Sequence, residues 1–432
     1  MKYLILIAFL LYGQSLLFSQ TWKVTKIKPL PINNTENSIC EAIIGNKKYV
    51  YSFGGIKDSF SIESIHKHVY KYSIEDDEWY SMPNVPDTMG KVGSSASFVN
   101  NKIYLIGGKY ITSDSTEVYS DKVHIFNPST DEFEPAGQPV PEKIAYHVQT
   151  VWKDSLIFVF SGKSSIGNTL NVHIYNPFFD SWSQGTQIPA NPNFETVNAS
   201  GYILGDTIYY FGGEKSENNE IVASNTFRKG IINPANPTEI NWILGNPISY
   251  VPQFKGASSG QGNTLIWVGG AYSYYNLDSL INGSYSASLT NLLIQHSPKI
   301  TVSLFLHDFN LFNIRSIAKI GGGNWIVAGG IDTLKQISNQ AFLLHNSDFL
   351  KMEYVSHPPL LNISEDKDYF KISTENVGYI SVYDLSGRMI YNNQKQLANL
   401  WIHKSNLQNG ILFFSYDDGV NLPVVIKRFL SY

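Results

Sequence analysis

Ten histidines are scattered along the 432 residues, and His66 and His68 are the only close pair. Two imidazoles two apart on a strand share one face and have the spacing to hold a metal, although a strand edge or solvated loop is the commoner reason for such a pair. The acidic run Glu75-Asp76-Asp77-Glu78 has charge for a cation but lacks the glycine and alternate spacing of a calcium loop, which makes it an exposed turn. Cys40 is the only thiol, so the chain has no intrachain disulfide and no CxxC metal site. No Gly-x-Ser-x-Gly elbow, His-Glu-x-x-His, P-loop or dinucleotide fingerprint occurs. The motifs therefore assign no catalytic residue, no metal ligand and no cofactor. Any site has to be assembled by the fold.

The elements that would assemble it repeat. Aromatic residues make up 14% of the chain and charged residues only 16%, against roughly 25% charged in an average soluble protein. Tyr and Phe outweigh helix formers, which favours strands, and the net charge of −4 argues against a basic nucleic-acid face. An apolar run ending in a double glycine recurs six times: Gly54-Gly55, Gly107-Gly108, Ser161-Gly162, Gly212-Gly213, Gly269-Gly270 and Gly329-Gly330. The intervals between successive second glycines are 53, 54, 51, 57 and 60 residues. That period suits a four-stranded antiparallel unit rather than a β-helix or an α-solenoid. Polar hairpin turns precede the runs, and a third and a fourth strand follow.

Tyr72 with Trp79, Tyr175 with Trp182, and Trp242 follow their glycines at the positions expected on third and fourth strands. A glycine-terminated strand six times in register, followed by Tyr and then Trp in blades one and three and by Trp in blade four, resembles the kelch repeat. The resemblance implies a six-bladed β-propeller over residues 20–355. Blades five and six lack a clear tryptophan in the fourth strand. Trp22 to Pro31 resembles a fourth strand with no blade before it, so we expect it to complete blade six. The alternative closure runs through Leu350 to Val355.

Propellers bind at the mouth of the channel, where first strands begin. Counting back fifteen positions from each second glycine gives Cys40, Gly93, His147, Asn198, Lys255 and Arg315, with Glu41 and Glu195 close by. If the blades superpose, His147, Asn198, Lys255 and Arg315 ring one opening suited to an anionic or hydroxylated ligand. The register is most exposed to a slip at the glycine-rich turns Gly260–Gly262 and Gly321–Gly323. The tyrosine-rich loop Ala271–Asn276 offers a second surface for sugar rings, or is simply packed.

Both ends read as targeting segments. Lys2 followed by Leu4–Leu11 has the form of a signal peptide over residues 1–19, too short for a membrane span. From His357 on the glycine rhythm stops. Residues 356–432 carry strand–Asp384-Leu385-Ser386-Gly387-Arg388–strand, Asn409-Gly410 before Ile411–Phe414, and a last strand with Lys427-Arg428. This resembles the carboxy-terminal (Por) sorting domain of the type IX secretion system of Bacteroidetes, and implies a small immunoglobulin-like β-sandwich, a secretion-machinery partner, and a secreted or outer-membrane surface location. His-Pro-Pro and Ile-Leu-Phe-Phe depart from that family's usual pattern. The expected fold is thus all-β, and the leading function a binding or adhesion module for glycan or protein. The alternatives are a sialic-acid mutarotase-like isomerase, by kelch analogy alone, and a purely structural surface protein.

Overall fold

The computed structural model describes residues 22–346 and 361–430, apart from 60, 115, 218–219, 246–253, 262–263, 271–291, 298, 305–310, 312–314, 333, 374–377, 386–387, 396–399, 408 and 418–423. The signal segment, the loop 271–276 and the alternative closing segment 350–355 lie outside the described residues. The chain divides into two units, Met1–Met352 and Glu353–Tyr432.

The first unit is a six-bladed β-propeller. Each blade is an antiparallel sheet, and in blades one to five the strands follow one another in sequence, as Ser38–Ile44, Lys47–Ile56, Ile65–Ser73 and Glu78–Met82 do in blade one. Blade two adds a short strand, Glu117–Tyr119, beside its second. Innermost strands pack on one another around the ring, and Ala318–Gly321 of blade six returns to Ser38–Ile44 of blade one. Apolar clusters fill each gap between sheets: Phe53, Leu105 and Phe126 between blades one and two, Trp325 and Ile266 between five and six.

Closure is amino-terminal. Trp22–Ile27 pairs antiparallel with Ala341–Asn346 of blade six, Trp22 opposite Asn346 and Ile27 opposite Ala341. Trp22 lies 5.5 Å from Trp325, so the tryptophan missing from blade six is supplied from the other end of the chain. Joining the two ends covers the edges a propeller would otherwise expose.

The double glycines sit where second strands pass the connection arriving from the preceding blade. Gly55 has φ +118, and a Cβ there would come within 2.5 Å of the Thr35 carbonyl oxygen. Only glycine meets both demands. At the outer rim, Tyr72 and Trp79 pack at 5.0 Å, and Tyr175 and Trp182 at 4.8 Å. The indole N–H of Trp79, Trp182 and Trp242 donates to Lys28, Gln138 and Thr186 carbonyls respectively, each on the preceding blade.

The second unit is a β-sandwich of a three-stranded sheet (Asn362–Glu365, Tyr369–Ser373, Leu400–His403) and a four-stranded one (Gly378–Tyr383, Met389–Lys395, Gly410–Asp417, Val424–Leu430). Phe370, Ile372, Ile380, Val382, Ile402 and Phe414 are among its buried core.

Candidate functional site

One residue at or just ahead of the start of each innermost strand holds a left-handed backbone: Glu36 (φ 59), Gly93 (φ 70), Tyr146 (φ 57), Asn198 (φ 56), Lys255 (φ 53) and Arg315 (φ 41). Non-glycine residues adopt this conformation at a cost, and recurrence in every blade marks a built feature. Backbone bonds link neighbours: Tyr146 N–H donates to Gly93 O (2.8 Å), Asn198 N–H to Tyr146 O (3.0 Å), and Lys255 N–H to Asn198 O (2.9 Å). A serine relay keeps the same register. Ser38 Oγ donates to Ser94 O, Ser95 Oγ to His147 O, and Ser200 Oγ to Gly256 O. In each case the donor lies two residues after its collar residue, and the acceptor one residue after the next blade's.

The side chains of this collar converge. Lys255 Nζ donates to Glu36 Oε1 at 2.6 Å, and Arg315 Nε lies 3.6 Å from Glu36 Oε2. Arg315 Nη1 donates to Asn198 Oδ1 (2.6 Å), and Asn198 Nδ2 to Glu214 Oε1 (2.8 Å). The Tyr146 ring has three cations around it, with Arg315 at 4.9 Å, Lys109 at 5.0 Å and Lys255 at 5.6 Å from its centroid. A Cβ on Gly93 would strike this ring at 2.8 Å, so the one glycine of the collar makes room for the tyrosine. Glu36, Tyr146, Asn198, Glu214 and Lys255 are all buried. Burial raises the Glu214 carboxyl above its ordinary range, against the pull of Lys255 and Asn198. The Tyr146 hydroxyl is likewise pushed well up by burial.

Asn198, Lys255 and Arg315 thus come together. Blade six carries a one-residue register shift between Lys319 and Gly321, at its glycine-rich turn, yet Arg315 keeps the left-handed collar conformation. Two further departures fall in blades one and three. Blade one's two inner arms are each longer by two residues, so its collar residue is Glu36, nineteen before Gly55, and Cys40 is buried among Ala42, Tyr51 and Phe53. In blade three the turn Lys153-Asp154-Ser155 has three residues instead of two, so the collar residue is Tyr146. A one-residue slip reverses the face. His147 therefore packs between blades against Gly107 and Gly162, and burial lowers its pKa to about 3. Its Nε2 lies 3.4 Å from Gln149 Oε1.

Glu41 sits on the first strand of blade one and accepts the Lys319 amide of blade six at 3.0 Å, an inter-blade tie away from the collar. Burial raises its pKa. Glu195 lies in the blade three-to-four connection, its amide bonded to Asn191 O. The expected anion-friendly opening is corrected in one respect: its cations already face an internal carboxylate, Glu36. The sequence signal for Glu36 was the serine two positions on, shared by Ser38, Ser95 and Ser200.

A second set of buried polar groups anchors the connections between blades. Asp87 meets Lys91 at 2.6 Å and His124 at 2.8 Å, beside a cavity of about 10 Å³, room for one water. Glu142 accepts Thr169 Oγ1 (2.6 Å) and Asn171 Nδ2 (2.8 Å), with His173 at 3.4 Å. Arg228, at the matching place in blade four, donates to Gly212 O (2.9 Å), Ser224 Oγ (2.9 Å) and Asn193 O. The His66–His68 pair is spent locally: His66 Nδ1 accepts the His68 amide (3.1 Å), and its Nε2 faces Asn34 Oδ1. Among the described residues no group of three or more His, Cys, Asp or Glu is placed to hold a metal.

Residues 21–229 match the family model described as the KLHDC2/KLHL20/DRC7 Kelch-repeats domain. The fold is that of a kelch-type propeller, and these residues carry its repeats. Beta-scruin of Limulus polyphemus is 26% identical over 291 residues, 63% of this chain and 28% of that protein. Kelch repeat and BTB domain-containing protein 12 of Homo sapiens is 29% identical over 157 residues, 33% of this chain and 24% of its own length. The chain thus spans about a quarter of the length of these curated relatives. The solved structure of YjhT superposes with a TM-score of 0.57 at 15% identity, covering 81% of this chain and 99% of the other, a likeness of fold alone.

Proposed function

We propose that this kelch propeller is a binding module whose loop-bearing face engages a protein ligand, rather than an enzyme. The carrying observation is that collar charges answer one another: Glu36 takes Lys255 and Arg315, and Asn198 bridges Arg315 to Glu214. Chemistry at the channel would first have to break these buried pairs. The same end of the propeller, where fourth-to-first and second-to-third connections lie, carries hairpins that differ from blade to blade. Lys163–Ser164 pairs with Gly167–Asn168, and Glu214–Glu217 with Glu220–Ala223. Ile166, at the first hairpin's tip, is 93% exposed. Irregular loops on a rigid ring are where recognition usually resides. Kelch repeats shared with the relatives support a protein-binding role.

The two ends of the sequence supply the setting of this reading. Lys2 with Leu4–Leu11 serves as a signal, and the sandwich is a type IX sorting address, so the propeller works at the cell surface. Glycan remains the other ligand class for the same face. The test places a photo-crosslinking residue at Ile166 and, separately, at Tyr80 on the outer strand of blade one, in cells displaying the full chain. Protein adducts from position 166 and none from 80 are expected. Adducts from neither position, with retention on a glycan array, would replace protein by glycan as the ligand. Deleting Pro358–Tyr432 should leave a folded propeller in the periplasm, and surface delivery of that truncation would end the sorting reading.

A further inference from the structure

The three-stranded sheet of the carboxy-terminal sandwich has an unusual outward face. Phe370 and Ile372 point into the core, so Tyr369 and Lys371 between and beside them point outward. On the neighbouring strand Ile402 points in, while Trp401 and His403 point out. Register sets Tyr369 opposite His403 and Lys371 opposite Trp401. Outward positions of a sandwich are ordinarily polar. Here the indole is 51% and the phenol 38% exposed. Tyr369 meets Trp401 edge-on at 6.2 Å and His403 edge-on at 4.6 Å, which fixes the three rings relative to one another.

Charge on this face is one-sided. Lys371 Nζ stands 5.3 Å from the Trp401 ring centroid, and no carboxylate pairs with it among the described residues. Two nearby acids are engaged: Glu365 pairs with Lys404 at 3.0 Å, and Asp366 accepts the amides of Asp368 (2.9 Å) and Tyr369 (2.8 Å). His403 Nδ1 accepts the Ser405 amide at 3.2 Å, which leaves its Nε2 as the donor.

We propose that this face binds an acidic pyranose, a sugar ring carrying a carboxylate. The apolar C–H face of the ring stacks on Trp401, the carboxylate lies on the Lys371 ammonium, and His403 donates to a hydroxyl. A half-exposed indole supplies the flat apolar surface that a pyranose needs. An ammonium without a carboxylate partner supplies the complement that favours an acidic sugar over a neutral one. The site belongs to the sandwich and does not depend on the loop face of the propeller.

Affinity electrophoresis of the full chain through gels containing polygalacturonate, with dextran as the neutral control, tests this. Polygalacturonate should retard the protein and dextran should not. Trp401→Ala should weaken retardation about tenfold or more, Trp401→Phe should recover part of it, and Lys371→Met should weaken it severalfold. Ile166→Asp on the propeller should leave it unchanged, which separates this proposal from the protein-ligand reading. Urea midpoints of the Trp401 and Lys371 variants should match the parent, because both side chains are on the outer face. Four results overturn the proposal: no retardation by polygalacturonate, equal retardation of Trp401→Ala, equal retardation by dextran, or a concentration-dependent dimer in sedimentation that Trp401→Ala abolishes.

Discussion

The collar and the rim of the propeller both join blades through polar groups, under opposite conditions. At the rim, Tyr175 Oη donates to Asp180 Oδ1 at 2.5 Å, and the same oxygen accepts the Gln138 amide of blade two at 2.7 Å. Blade one repeats the arrangement with Tyr72, Asp77 and the Lys28 amide. In blade two, Phe126 has no hydroxyl, and Asp131 instead takes Tyr51 Oη (2.9 Å) and Lys71 Nζ (2.7 Å) from blade one. One residue type, an aspartate in a left-handed turn, does the same work in three blades. The collar shares a backbone conformation but no residue type: Glu, Gly, Tyr, Asn, Lys and Arg occupy equivalent places. The difference teaches that conformation is repeated where chemistry need not be. A rim clasp acts between neighbours and can be copied. A collar closes on itself, so its charges have to balance once around the ring rather than once per blade.

That contrast breaks first at Glu36. Glu36→Ala strands Lys255 and Arg315 in a buried collar and should cost about 3–5 kcal/mol in urea unfolding. A loss under about 1 kcal/mol would mean the collar is as open to water as the rim. Trp79→Ala should cost about 3 kcal/mol, because it removes a largely buried ring packed on Tyr72 along with its bond to Lys28 O. Trp79→Phe should restore more than half of that.

The inter-blade anchor of Asp87 gives a pH test. Burial pushes this carboxyl up, but His124, Lys91 and Lys122 outweigh it and hold the group well below the ordinary 3.8. A depressed carboxylate adds stability above its unfolded value and loses it as pH falls through the native one. His124, lowered mainly by burial from 6.5, acts in the same direction, because the native state resists its protonation. The urea midpoint should therefore fall from about pH 6.5 downward, and Asp87→Asn should flatten the portion below about pH 4. An unchanged acid limb would show that the anchor does not set it. Tyr175→Phe, which removes one rim bond to a carboxylate, should cost about 1–2 kcal/mol. Ile166→Asp should change the unfolding free energy by less than about 0.5 kcal/mol, since its side chain stands in solvent.

Much of the rim was legible because its signals are local. Tyr72 and Trp79, or Tyr175 and Trp182, lie seven residues apart across a single hairpin, so the sequence distance already contains the contact. The two strands flanking Asp384–Arg388 in the sandwich were legible for the same reason, and the turn is held by Asp384 accepting the Arg388 amide at 3.1 Å. His147 was misplaced by one extra residue in a turn, and Cys40 by a longer hairpin. No change in residue type announces either event, because both insertions are polar turn or strand-end residues like those around them. Trp22 was assigned to blade six from its pattern, while its contact with Trp325 required the two ends of the unit to meet.

The sequence by itself determined six blades, through the spacing of double glycines that only a close strand crossing demands. It also determined the Tyr–Trp packing at the rim and the separate β-pattern after residue 356. Only the tertiary structure decided that Glu36 faces Lys255 and Arg315, and that Tyr146 rather than His147 stands in the collar. Glu36 and Lys255 are 219 positions apart. Their meeting depends on the arm lengths of the inner hairpins, where one residue reverses a side chain, and on the ring being closed. Both are properties of the whole circuit, and no window of sequence contains them.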